Sequence, residues 1–173
     1  PPVERDGRSE DVIDQLSAGL LKSAIGAARK EDIVKWTIAA RLERRRTRNL
    51  LALRARHGWV RRCHGDLHLA NVCMLDGEPT PFDAIEFNDA LATIDVLYDL
   101  AFLLMDLHRF GRADLASLAL SRYLSMTRDY AGAGLLKLFQ SMRAAVRAMV
   151  LSLPGRPESD LARAHTYLDV ALS

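Results

Sequence analysis

Eight consecutive residues, His64-Gly65-Asp66-Leu67-His68-Leu69-Ala70-Asn71, carry the densest chemistry in the chain. A carboxylate and a carboxamide stand five residues apart, a spacing that suits phosphoryl transfer. There a carboxylate orients an acceptor hydroxyl and accepts its proton, and an amide oxygen a few residues on ligates Mg²⁺ beside the phosphates. A further carboxylate on the following strand has to hold the bridging metal, and Asp83 and Glu86 are the candidates. A carboxylate and an Asn at this spacing recur by chance in many sequences. The pair gains specificity from His64-Gly65 in front of it and from the strand and Asp-containing helix behind it.

The elements that must position these residues follow from periodicity. Residues 10–30 read as a helix, with Val12, Leu16, Leu20, Leu21 and Ile25 at helical spacing. Glu31 and Asp32 open a second, long helix whose apolar side is marked by Ile33, Trp36, Ala40, Leu42, Leu50 and Leu53, with Gly58 as its stop. Residues 59–64 read as a brief strand, 64–71 as a polar loop, and 72–75 as a second strand. Asp76-Gly77-Glu78-Pro79 is a hairpin turn signal, and 80–87 is a third strand candidate. Helical periodicity returns after Asn88-Asp89, over 94–110, 114–130, 135–153 and 159–172, with Gly111, the Ala131-Gly132-Ala133-Gly134 run and Pro154-Gly155 as breaks. The order is two helices, a small hairpin region, then four helices. The expected fold class is α+β, mostly helical, in a single domain over 1–173.

Composition bounds the function. Apolar residues at 49% and charged residues at 27% give a globular chain with enough apolar surface for a core. A net charge of +2 excludes a polyanion-binding composition. The Arg41, Arg44, Arg45, Arg46 and Arg48 cluster reads first as a solvated helix face, since no aromatics interleave it, so nucleic acid is not an expected partner. Arg143 and Arg147, at i,i+4, read first as surface ion-pairing residues, with contact to acidic residues around the site as the alternative. Cys63 and Cys73 lack metal-site spacing and read as reduced core thiols. With no signal peptide and no membrane-length apolar run, a cytoplasmic protein is expected. The Pro1-Pro2-Val3 start, without an initiator Met, reads as an interior segment.

His64-Gly65-Asp66-x-His68-x-x-Asn71 resembles the catalytic loop of the aminoglycoside phosphotransferase-like family, which is protein-kinase-like. Ile85-Glu86-Phe87-Asn88-Asp89 resembles the metal-binding strand end that follows in that family, and Asp95-Val96-Leu97-Tyr98-Asp99-Leu100-Ala101 its helix opening with two aspartates. The likeness is greatest to a bacterial subgroup often fused to a P-loop ATP-binding domain. It rests on residues 61–68, 81–89 and 100–107, and it is diffuse in the flanking helices. The resemblance implies the C-terminal lobe of a kinase-like fold, with a small β-hairpin region carrying the catalytic loop. It implies an ATP- and Mg²⁺-dependent enzyme moving a γ-phosphoryl group to a small-molecule hydroxyl, so nucleotide and acceptor are the expected partners. By position, Asp66 is the catalytic base, Asn71 a metal and nucleotide ligand, and Glu86 stands where most members carry a metal-binding Asp. His64 braces the loop. His68 touches substrate or phosphate, or braces the loop as well. Asp99 pins the loop from beneath, and Asp95 caps its helix; the bland alternative for Asp95 is an N-cap alone.

Two departures qualify the resemblance. Glu86 is one methylene longer than the usual Asp, and Asp83 is its rival as metal ligand; on an extended strand the two point to opposite faces. No Gly-rich phosphate loop, Walker A motif or Val-Ala-Ile-Lys-like strand is present, so a missing or fused nucleotide lobe is expected. Two other functions compete. One is a metal-dependent hydrolase in which His64, Asp66 and His68, alternating along a strand, bind zinc. The other is a catalytically silent kinase-like interaction module.

Overall fold

The computed structural model describes residues 8–173, with side chains from residue 12 onward; residues 1–3 lie outside it. The elements are α1 (Arg8–Lys22), α2 (Lys30–Arg56), β1 (Val60–Arg62), β2 (Val72–Leu75), β3 (Glu78–Pro81), α3 (Asp89–Ala92), β4 (Thr93–Asp95), α4 (Val96–Arg109), α5 (Ala113–Thr127), α6 (Leu136–Leu151) and α7 (Glu158–Leu172). Short 3-10 turns occupy Leu69–Asn71 and Ala131–Leu135. The chain is therefore mostly helical with two small antiparallel sheets, an α+β architecture. No helix among the described residues is long and apolar enough to cross a membrane.

Two compact units form. One holds the chain up to Ala52 together with Ser141–Ser173, and the other holds Leu53–Gln140. In the first, Ile13, Leu16, Leu20, Ile33, Trp36, Ala145, Ala148, Tyr167 and Leu168 are buried at helical spacing. Polar side chains stitch the helices together. The Trp36 indole N–H donates to Ser141 Oγ at 2.9 Å, and Ser141 Oγ donates to the Ala171 carbonyl at 2.6 Å. Arg143 is buried here rather than on the surface, at 5% exposure. Leu42, at 49%, lies on the open face of α2 and not on its buried side.

The second unit carries the loop 64–71. Strand β1 pairs with β4 in the register Val60↔Asp95, Arg61↔Ile94 and Arg62↔Thr93. Residues 93–95 are thus a strand, where the apolar periodicity alone runs the helix back to Ile94. Three residues are too few to show an alternation, and β-branched Thr93 and Ile94 are the local signal. Strands β2 and β3 form a hairpin, Val72↔Pro81 to Leu75↔Glu78, closed by Asp76 and Gly77, both at positive φ. Its third strand ends at Pro81, not at 87, because Asp83 turns the chain at φ 60°. Beneath the loop, Leu104, Leu107 and Ala116 are buried with Leu69, Leu100, Leu103 and Leu120 packed against them, which joins α4, α5 and the 3-10 turn that ends the loop.

Candidate active site

Helix α4 fixes the start of the loop. Asp99 is 6% exposed, and its carboxylate accepts from two successive backbone N–H groups, His64 N at 2.9 Å and Gly65 N at 3.1 Å. Charge-assisted bonds to adjacent amides set both peptide planes. Gly65 sits at φ 86°, and a Cβ there would come within 2.9 Å of Ile85 Cδ1. Both the backbone and the space demand glycine. Gly65→Ala is expected to lower stability by about 2 kcal/mol, combining left-handed strain with overlap; urea denaturation checks it.

His64 then ties the loop to the segment that follows the hairpin. Its Nε2 lies 2.8 Å from the Phe82 carbonyl, which can only accept, so Nε2 carries the proton. Its Nδ1 lone pair faces Asp66 N at 3.4 Å. Main-chain bonds from Ile85 N to His64 O at 2.9 Å and from Phe82 N to Asn71 O at 3.0 Å complete the tie. Asp83 and Glu86, both exposed, flank this clamp on irregular backbone. No strand extends past Pro81, so strand alternation does not send Asp83 and Glu86 to opposite faces.

Asp66 stands at the middle of the loop with its side chain 41% exposed. The Asn71 amide donates to the Asp66 carbonyl at 3.0 Å and to Asp66 Oδ2 at 3.3 Å. Because the carbonyl can only accept, the NH₂ group of Asn71 faces Asp66, and its Oδ1 is left to face elsewhere. A hard cation takes oxygen donors, and Asn71 Oδ1 with one of the Asp83 or Glu86 carboxylates is of that kind, although among the described residues no group of three His, Cys, Asp or Glu is placed together to hold a metal. His68 is buried, with Nε2 3.3 Å from Asp66 Oδ2 and its ring edge-on to Phe102 at 5.3 Å. Its Nδ1 is buried without a hydrogen-bond partner.

Asp95 does more than cap. Its Oδ1 accepts from Leu97 N at 2.8 Å, the N-cap bond of α4. Both its oxygens also accept from Arg54, Nε to Oδ2 at 2.7 Å and NH2 to Oδ1 at 2.8 Å. Arg54 reaches on to Asp129, which accepts as well from the Tyr123 hydroxyl at 2.6 Å and from Gly132 N at 3.2 Å. Sequence reasoning missed Arg54 and Asp129, since nothing local marks one Arg in an Arg-rich helix. It also passed over Asp106, 3% exposed, whose Oδ2 accepts from Leu69 N at 3.1 Å. A second carboxylate after Asp99 in the apolar face of α4 was the signal available.

The hydrolase alternative loses its geometry. Residues 64–68 form a loop rather than a strand, both His64 nitrogens are engaged, and among the described residues no group of three His, Cys, Asp or Glu is placed to hold a metal. The cysteines part company too. Burial, with Asp99 and Asp95 nearby, pushes the Cys63 thiol up to about 11, whereas Cys73 is exposed on the hairpin and is not a core residue. At pH 8 only about one Cys63 in a thousand is thiolate. Iodoacetamide should therefore label Cys73 at least about tenfold faster than Cys63, as read by peptide mass spectrometry.

A model of the phosphotransferase enzyme family matches residues 9–136. An uncharacterized protein of Mycobacterium bovis and uncharacterized proteins from two strains of Mycobacterium tuberculosis are each 38% identical over 113 residues, covering 64% of this chain. The chain spans 23% of the length of these relatives. No solved structure matches.

Proposed function

The chain belongs to the phosphotransferase enzyme family, and on that premise we propose that the longer protein moves the γ-phosphoryl group of ATP to a hydroxyl of a small molecule. The observation that carries the proposal is a half-exposed Asp66 carboxylate on a loop whose backbone is otherwise bonded down, with the Asn71 amide turned toward it. The acceptor O–H donates to an Asp66 oxygen, and its proton passes to that carboxylate as the new O–P bond forms. The bond between the γ-phosphorus and the bridging oxygen breaks, and ADP leaves with that oxygen. Asp66 supplies orientation and a proton acceptor, together with repulsion of any misaligned anion. Asn71 Oδ1, with Glu86 or Asp83, would hold the cation. When bound, Mg²⁺ neutralises charge on the phosphates. His64 holds Asp66's own backbone and the 82–85 segment in one arrangement. His68 backs the Asp66 carboxylate from its buried side. No phosphate-covering loop is read in this sequence, so the reading requires one supplied from outside these residues.

The test uses the full-length natural protein with γ-labelled ATP, Mg²⁺ and a panel of hydroxyl compounds. Label in an organic product only when Mg²⁺ is present supports the proposal. A folded full-length protein that neither binds ATP nor transfers label over the panel contradicts it and favours the silent module.

A further inference from the structure

Helix α4 meets the loop 64–71 with one face, set by the spacing of three residues. Asp99, Phe102 and Asp106 lie at i, i+3 and i+7, so they stack along a single stripe. All three are buried, at 6%, 0% and 3% exposure. Each holds a different part of the loop. Asp99 takes the N–H groups of His64 and Gly65, at the entry. Phe102 packs near-perpendicular against the His68 ring, at the centre. Asp106 takes the N–H of Leu69, where the loop turns into the 3-10 segment that delivers Asn71.

We propose that Asp106 is a positioning residue for the phosphoryl-transfer site: it fixes the exit of the loop as Asp99 fixes its entry, and so steadies the turn on which Asp66 and Asn71 are bonded to each other. A buried carboxylate is costly in an apolar helix face unless it is bonded, and the Leu69 amide is a partner on the loop itself. Leu69 is the third residue after Asp66 and the second before Asn71, so slack there moves the base and the amide relative to each other. With both ends tied to one rigid helix, the loop has no hinge between its two working side chains. Loss of the Asp106 bond frees one end only. Asp66 keeps its entry anchor and Asn71 its bonds to Asp66 and Phe82, while the Leu69 turn between them gains slack that strains both. The expected defect is thus in the chemical step more than in nucleotide affinity.

This inference rests on the proposed function, and the experiment separates the two. Asp66→Ala, Asp106→Ala and Asp106→Asn are made in the full-length natural protein. Turnover of Mg·ATP is followed as ADP release, alongside hydrogen exchange of the peptide spanning residues 64–71. Asp106→Ala is expected to lower kcat about tenfold with KM for ATP changed less than about twofold, since small misplacements of reacting groups act on the chemical step. Exchange at Leu69 should rise while that at His64 and Gly65 stays slow. Asp106→Asn keeps an oxygen that accepts from Leu69 N and is expected to restore kcat to within about threefold; it also serves if the alanine variant does not fold. If Asp66→Ala abolishes turnover but both folded Asp106 variants turn over at the native rate, the positioning role is overturned. Equal slowing by Asp106→Asn and Asp106→Ala would also overturn it, because the charge and not the bond would then matter. If Asp66→Ala itself is as active as the native protein, the proposed function fails first and takes the positioning role with it.

Discussion

Asp66→Ala, made in the full-length natural protein, is expected to lower kcat for phosphoryl transfer by about 10²–10⁴-fold, the range a positioned general base supplies. Stability should change little. The carboxylate is 41% exposed, and its bonds to Asn71 and His68 are long, at 3.3 Å each. Asn71 keeps its shorter bond, 3.0 Å, to the Asp66 main-chain carbonyl when the side chain is removed. The loop also keeps its ties to Asp99 and Asp106, which do not involve the Asp66 side chain. Asp66→Asn is expected to be nearly as slow, since an amide has the carboxylate's shape without its basicity. Thermal denaturation of both variants beside the native protein separates a catalytic loss from an unfolding loss. A residue serving only as part of an interaction surface predicts the opposite pattern, with transfer absent from the native protein too.

The largest stability loss is expected at Arg54. Arg54→Met should destabilise the fold by about 3–5 kcal/mol in urea denaturation, the cost of leaving buried carboxylates without their cation. Arg54 is 2% exposed, Asp95 8% and Asp129 4%, so none can fall back on water without rearrangement. Gly132 packs so closely that a Cβ there would meet Arg54 and both Asp129 oxygens, which leaves the network no room to relax. The effect reaches the site because Asp95 is both the Arg54 partner and the N-cap of α4, the helix that holds the loop. The network also sets a pH window. Burial alone would raise the Asp129 carboxyl, but the bonds from Arg54 and Tyr123 outweigh it and hold it below the ordinary value. Its contribution is present at neutral pH and is lost as pH falls through that lowered value. Burial, and then its bond to Asp129, push the Tyr123 hydroxyl up. That contribution is present below the ordinary tyrosine value of about 10 and is lost as pH rises through the higher folded one. Tyr123→Phe should therefore flatten the alkaline limb of the stability profile, and Asp129→Asn the acid limb.

The later helices were legible because each shows apolar residues at helical spacing between clear breaks, as with Ala131-Gly132-Ala133-Gly134 between α5 and α6, whereas the first helix, read over 10–30, ends at Lys22 because residues 23–29 form turns. The β2–β3 hairpin was legible from the Asp76-Gly77-Glu78-Pro79 turn signal, although Glu78 and Pro79 pair within β3 rather than forming the turn. What escaped was non-local. Strand β4 exists because β1, more than thirty residues earlier, offers its edge, and three residues cannot announce that pairing by themselves. The early end of β3 depends on Asp83 adopting φ 60°, which Asp tolerates without favouring. At the site, the motif marked Asp66 and Asn71 because their spacing is local, whereas Asp99, whose loop partners lie 35 and 34 residues away, was marked only by the family resemblance. Arg54, Asp106 and Asp129 take their meaning from partners 41, 37 and 75 residues away, and only folding brings those together.

The most direct measurement concerns where the cation goes. Mn²⁺, a paramagnetic substitute for Mg²⁺, added with ATP to the isotope-labelled full-length protein, broadens the resonances of nearby nuclei. The expected result is broadening centred on the Asn71 side-chain amide and the 82–86 segment, lost in Asn71→Ala and weakened in either Glu86→Ala or Asp83→Ala. Broadening centred elsewhere, or unchanged in Asn71→Ala, would contradict the assignment of residues 64–71 as the phosphoryl-transfer loop.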